Sequence, residues 1–138
     1  HCEEFSSDLI ELLLQQRLTT FEHIHPALYK SLNYISQHFL DEMSLKDVSN
    51  AAYTSASHLS FLFREHLNRS FKSILVELRV RFAKDMINSQ PLSKITDVCL
   101  QSGFGDLSHF EKMFKRFVGC TPRQYRESQR RLHTQLIA

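Results

Sequence analysis

The chain has 138 residues, 42% of them hydrophobic, which is enough to bury a core and suits one domain or a tightly coupled pair. Only three Gly and three Pro leave little turn chemistry for hairpins, while Leu, Lys, Gln, Glu and Arg fill long helix-favouring stretches, so the expected fold class is all-α. The formal charge of +2 hides an asymmetry, because residues 1–43 hold 2 basic and 7 acidic side chains and residues 44–138 hold 15 and 8; a basic remainder of that kind suits phosphate contact.

The first predicted element is a helix over residues 8–21, with Leu9, Leu12 and Leu13 on one side and Glu11, Gln15 and Gln16 on the other. Residues 23–26 interrupt it. From 28 to 39 the positions Leu28, Leu32, Ile35 and Phe39 recur at the spacing of a helical face. Ser44-Leu45-Lys46-Asp47 then has the form of a capping box opening a short helix over 45–52. Tyr53-Thr54-Ser55 reads as a tight turn in which Ser55 caps the next helix; Leu59, Leu62 and Phe63 form its inward stripe, leaving Ser57, Ser60, Phe61 and Arg64 outward. Residues 71–88 form a longer amphipathic helix, with Ile74, Leu75, Leu78, Phe82, Met86 and Ile87 inward, stopped by Pro91. Its rise, roughly 27 Å, is long enough to join two small units without a flexible tether.

The second half repeats the first. Leu45-Lys46-Asp47-Val48 has its counterpart 50 residues later in Ile95-Thr96-Asp97-Val98, and after one inserted residue Ser57 to Arg64 aligns with Ser108 to Lys115. Each copy is a short helix, a turn and a longer helix with a polar outer face, which is helix-turn-helix grammar. In the second turn Gly103 and Gly105 are expected at positive φ and Asp106 as the cap. Asn68 and Gly119 suit left-handed helix ends. Thr121-Pro122-Arg123-Gln124 opens a last helix with Thr as cap, Pro at the first helical position and Gln in the box position.

Through Gly103-Phe104, Asp106, Ser108, Phe110, Phe114-Lys115, Gly119, Thr121-Pro122 and Tyr125-Arg126, the chain resembles the AraC/XylS transcription regulators. The first copy shares the likeness in Ser44-Leu45, Val48, Ala51, Ser55, Leu59 and Leu62-Phe63, continued by Ser70-Phe71, Leu78-Arg79 and Ala83. The resemblance implies seven helices and two helix-turn-helix subdomains joined by a rigid central helix, reading double-stranded DNA in successive major-groove segments. It places base-facing residues at Ser57, Ser60 and Phe61 in the first recognition helix and at Leu107, Ser108, Glu111 and Lys112 in the second, with Arg64 and Lys115 nearer phosphates. Phe61 stands where the family often has Arg, so a common guanine-reading group is absent. The expected organisation is subdomains over 28–70 and 91–131 flanking a connecting helix over 71–90, with a tail over 132–138; residues 1–27 fall outside the resemblance and read as either a linker or dimerisation helix or an extra helix packed on the first subdomain.

Further candidate phosphate contacts near helix ends are Lys72, Lys94, Arg116, Arg123 and Arg126, with Arg69, Arg130 and Arg131 as additional cations. Cys2, Cys99 and Cys120 are odd in number and include no CxxC pair, so they read as free thiols of a reducing cytoplasm. The eight His lack zinc-site spacing, and no phosphate loop is present, so neither metal nor cofactor is expected. Runs such as Leu12-Leu13-Leu14 fall far short of a membrane span. An enzyme is disfavoured, since Ser57-His58 and Ser108-His109 are helix neighbours whose side chains diverge by about 100°. The alternative to DNA binding is an all-helical protein-interaction module with a basic face. RNA polymerase is an expected partner, and a sensory or dimerisation domain is expected beyond this chain.

Overall fold

The computed structural model describes residues 25–137, and among these it contains seven helices and no strand. They are α1 (Pro26–His38), α2 (Leu45–Ala51), α3 (Ala56–Leu67), α4 (Phe71–Ser89), α5 (Ile95–Gln101), α6 (Leu107–Val118) and α7 (Pro122–Ile137). The helix expected over 8–21 lies outside the described residues. The described residues divide into two compact units, with the division falling inside α4 between Leu78 and Arg79.

In the first unit, α1 opens with Pro at its first turn, where a missing N–H costs nothing. The apolar face read from the sequence is the buried one: Leu28, Leu32 and Ile35 join Val48, Leu59, Leu62, Phe63, Leu67, Ile74 and Leu78 in one core. Full burial of each such side chain contributes about 1.5–3 kcal/mol. Ser31 is buried among them and its hydroxyl donates to the Leu28 carbonyl at 2.8 Å, which offsets the cost of burying it. The capping box of α2 forms as expected. The Ser44 hydroxyl oxygen accepts from the Asp47 N–H at 3.2 Å, while the Ser44 N–H and hydroxyl donate to Asp47 Oδ2, both at 2.9 Å.

Residues Val80, Ala83, Met86, Ile87, Ile95, Val98, Cys99, Phe104, Phe110, Phe114 and Tyr125 are buried in the second unit. An aromatic chain runs through it, from Phe104 to Phe110 (5.1 Å between ring centroids), to Phe114 (5.8 Å), to Tyr125 (5.7 Å), spacings at which edge and tilted ring pairs attract. The Tyr125 hydroxyl accepts from Asn88 Nδ2 at 2.8 Å, tying α7 to the end of α4. The Thr121 cap of α7 is reciprocal: its hydroxyl oxygen accepts from the Gln124 N–H at 3.1 Å and its own N–H donates to Gln124 Oε1 at 2.9 Å.

Three readings of the sequence need adjusting. Val80 is buried although it lies off the stripe predicted for α4, and Phe82, which lies on it, is only partly buried; both stand beyond the division between the units at Leu78. Gly103 takes the expected positive φ of 91°, but Gly105 does not; the second positive-φ glycine is Gly119, at 100°. Helix α7 continues through 132–137. Cys99 and Cys120 are free thiols; burial, with the nearby Asp106 and Glu111 carboxylates, pushes the Cys99 thiol above its ordinary range.

Candidate nucleic-acid interface

The two copies are superposable bond by bond through their turns. Ala52, Tyr53 and Thr54 donate their N–H groups to the carbonyls of Val48, Asn50 and Ser49, and 50 residues later Ser102, Gly103 and Phe104 donate to Val98, Leu100 and Cys99. The inserted residue is therefore Gly105, which stands between this network and the cap. Ser55 accepts from the His58 N–H at 3.1 Å and Asp106 accepts from the Ser108 N–H at 3.0 Å, each starting a helix of 12 residues. Both helices end on a left-handed residue, Asn68 at φ 53° and Gly119 at φ 100°.

Outward faces match as closely as inward ones. Ser57 and Ser108 are exposed, Ser60 and Glu111 partly buried, Phe61 and Lys112 exposed, and Arg64 and Lys115 exposed. Leu107 is partly buried at the first position of α6. Each unit thus presents its own short stripe along one side of its longer helix, carrying the residues expected to face bases, with a cation one turn further on. His58 and His109, which share a slot, are both exposed; His58 lies against Phe61 and His109 meets the edge of Phe104.

The expected phosphate contacts divide by surroundings. Lys72, Lys94, Lys115, Arg116 and Arg123 are exposed. Lys115 and Arg116 occupy the last turn of α6, where the helix dipole favours cations. Arg69 instead has a structural role: its guanidinium donates to the Ser73 hydroxyl and carbonyl and pairs with Glu77 at 3.4 Å, with only 9% of its side chain exposed. In the second unit, Lys94, Arg123, Arg126 and Arg130 converge with Leu107 on a cavity of about 430 Å³, opposed only by Glu127. Arg126 Nε and Nη2 are buried there without hydrogen-bond partners, and burial, followed by the charge of Arg130, pulls its guanidinium pKa down. Arg130 was a lesser candidate in the sequence, yet positions 123, 126 and 130 of α7 share a helical face, a signal present in their spacing.

Among the described residues, no group of three or more His, Cys, Asp or Glu is placed to hold a metal ion, and no helix is long and apolar enough to cross a membrane.

Two capped helix pairs, each with an outward stripe on its longer helix, define a protein of the double helix-turn-helix class. The family described as helix-turn-helix domain matches residues 48–128, well over half of the chain. The chain belongs to the AraC-type helix-turn-helix family of transcription regulators. An uncharacterized HTH-type transcriptional regulator of Staphylococcus aureus is 39% identical over 95 residues, which cover 68% of this chain and 12% of the relative. The chain thus spans about an eighth of the length of such relatives. Two solved structures share the fold. An AraC-type transcriptional regulator from Chromobacterium violaceum aligns with TM-score 0.69 at 22% identity, covering 78% of this chain and 95% of that one. The DNA-binding domain of AdpA, in complex with a target DNA, aligns with TM-score 0.72 at 20% identity, covering 78% and 96%.

Proposed function

We propose that α3 and α6 are the recognition helices, entering successive major-groove segments of one duplex. In this reading Ser57, Ser60 and Phe61 face bases from α3 and Leu107, Ser108, Glu111 and Lys112 from α6. Arg64, Lys72, Lys94, Lys115, Arg116, Arg123 and Arg126 contact phosphates. The observation that carries it is the matched exposure of the two helices: four outward pairs, Ser57 with Ser108 through Arg64 with Lys115, share their degree of burial although three of the four differ in side chain. Core packing fixes the inward positions of a repeat; it has no hold on the outward ones. Two equivalent surfaces with different chemistry suit two unlike half-elements in one site.

The role is binding and not catalysis. For the longer protein to which such a chain contributes, we propose a cytoplasmic regulator with a sensory or dimerisation module and contact to RNA polymerase, in keeping with the much greater length of its Staphylococcus aureus relative. The test is selection from a pool of random duplexes at near-physiological salt, followed by measurement of the selected duplex against Lys112→Ala. Two short half-elements about 10 base pairs apart, one of them relaxed by the substitution, are expected. Retention with no selected sequence would leave only a basic helical surface and favour a protein partner.

A further inference from the structure

We infer that Phe61 selects its base by the 5-methyl group on the major-groove edge and not by a hydrogen bond, with His58 as the residue that positions its ring. The inference rests on α3 being a groove-facing helix.

Phe61 is 57% exposed in the middle of the α3 stripe, between Ser57 and Ser60 on one side and Arg64 one turn on. Its neighbours Phe63 and Leu59 are fully buried, so the core is filled without it. A phenyl ring carries neither donor nor acceptor, and it cannot read the polar code of a base edge. The one apolar group on that edge is the C5-methyl of thymine, which 5-methylcytosine carries at the same ring position. Serine side chains are short, so the ring is the longest apolar projection of this stripe.

A second ring flanks that of Phe61. His58, one helical turn earlier, lies against it with centroids 6.3 Å apart and planes 19° from parallel, an offset stack. The His58 backbone is itself held by the Ser55 cap at 3.1 Å. A stacked neighbour restricts the ring before it meets a base, which reduces the entropy lost on contact, and it widens the apolar surface available to the methyl. At the equivalent position of α6 stands Lys112, exposed and cationic. The two equivalent positions therefore offer different chemistry: an apolar ring for a methyl at Phe61, a cation at Lys112.

The test uses the full chain and the duplex selected from the random pool. Each thymine of the half-elements is replaced singly by uracil, which removes the methyl and keeps the O4 acceptor. One position is expected where uracil weakens binding about three- to fivefold, the value of one buried methyl. At that position 5-methylcytosine should bind better than cytosine by a similar factor. Phe61→Ala should remove the thymine-to-uracil difference, Phe61→Leu should keep part of it, and His58→Ala should shrink it while leaving affinity for the uracil duplex unchanged. A merely structural His58 would weaken both duplexes alike. Equal binding of thymine and uracil at every position, a ratio that survives Phe61→Ala, or a selected site without thymine in either half-element would overturn the inference while leaving groove reading intact. A pool that yields no selected sequence would overturn both.

Discussion

Tyr53 and Gly103 hold the same place in their two turns, each donating its N–H at 3.2 Å to the carbonyl three residues back and each at positive φ, 57° and 91°. The first turn therefore carries a bulky residue where the second carries the residue suited to that backbone. Tyr53 is 85% exposed, and Lys30 Nζ sits 5.0 Å from its ring centroid, so the side chain finds one surface contact and no core. For an L-residue the left-handed conformation costs about 1–2 kcal/mol, and glycine returns most of that through the freedom of its unfolded chain. Tyr53→Gly is expected to leave urea-unfolding stability within about 1 kcal/mol of the parent. Gly103→Ala, which forces a Cβ onto the second turn, should lower it by roughly 1 kcal/mol or more.

Gly105 and Gly119 separate along the same line. A Cβ at either would meet nothing within 4 Å, so space does not distinguish them. Only Gly119 has a positive φ, 100°, where it ends α6. Gly105→Ala should be neutral or stabilising by up to about 1 kcal/mol, because it only restricts the unfolded chain. Gly119→Ala should cost roughly 1 kcal/mol, since an L-residue resists that conformation. Thermal melts of the two single variants against the parent check the ordering, and equal shifts would remove the backbone explanation.

Asp47 links the α2 capping box to pH. Its carboxyl lies below the ordinary carboxylate range, chiefly because the Ser44 N–H donates to it, then because the Ser44 hydroxyl does. A folded pKa below the unfolded one means that the unfolded chain takes up the proton first. The stabilisation is thus fully present above the unfolded value of about 3.9 and is lost as pH falls through the lower folded value. Asp47→Asn should flatten the acid limb of a stability-versus-pH curve and change it little near neutrality beyond the loss of the cap. Ser44→Ala, which removes the other half of the box, should cost about 1 kcal/mol at neutral pH.

Local chemistry was the most legible part of this sequence. Capping boxes at Ser44 and Thr121, the caps Ser55 and Asp106 and the left-handed ends Asn68 and Gly119 were all readable because each depends on residues within four positions. The repeat made the outward stripes readable too, since the second copy fixes which face of the first is unburied. What was not legible depends on contacts between distant positions. Val80 is buried off the stripe of Leu78, beyond the division that falls within the helix, and helical periodicity alone does not show where that division lies. The pairing of Arg69 with Glu77 removes a cation that looked available, and the meeting of Lys94 with Arg130 spans 36 residues. The insertion was visible as a gap in the repeat, but only the turn hydrogen bonds place it at Gly105.

The four cations around the α5–α7 cavity carry the last prediction. Lys94, Arg123, Arg126 and Arg130 crowd a space that holds one opposing carboxylate, Glu127, and two guanidinium nitrogens of Arg126 are buried without partners. Such an arrangement is costly in the free protein, because the two buried nitrogens of Arg126 lack hydrogen bonds and the single carboxylate gives four cations too little opposite charge. A DNA phosphate at the cavity would supply both. Arg126→Met should therefore leave the thermal stability of the free chain unchanged or raise it, while weakening DNA binding at every sequence tested. Arg123→Gln, on the exposed side of the cluster, should leave stability alone and reduce the slope of log affinity against log salt by about 0.9, the value of one phosphate contact. Sequence preference should survive both changes, because phosphate contacts position a protein on the duplex without reading it. If Arg126→Met destabilised the free chain and left the salt slope at its parent value, the cluster would be part of the fold's support and Arg126 would have no place at the interface.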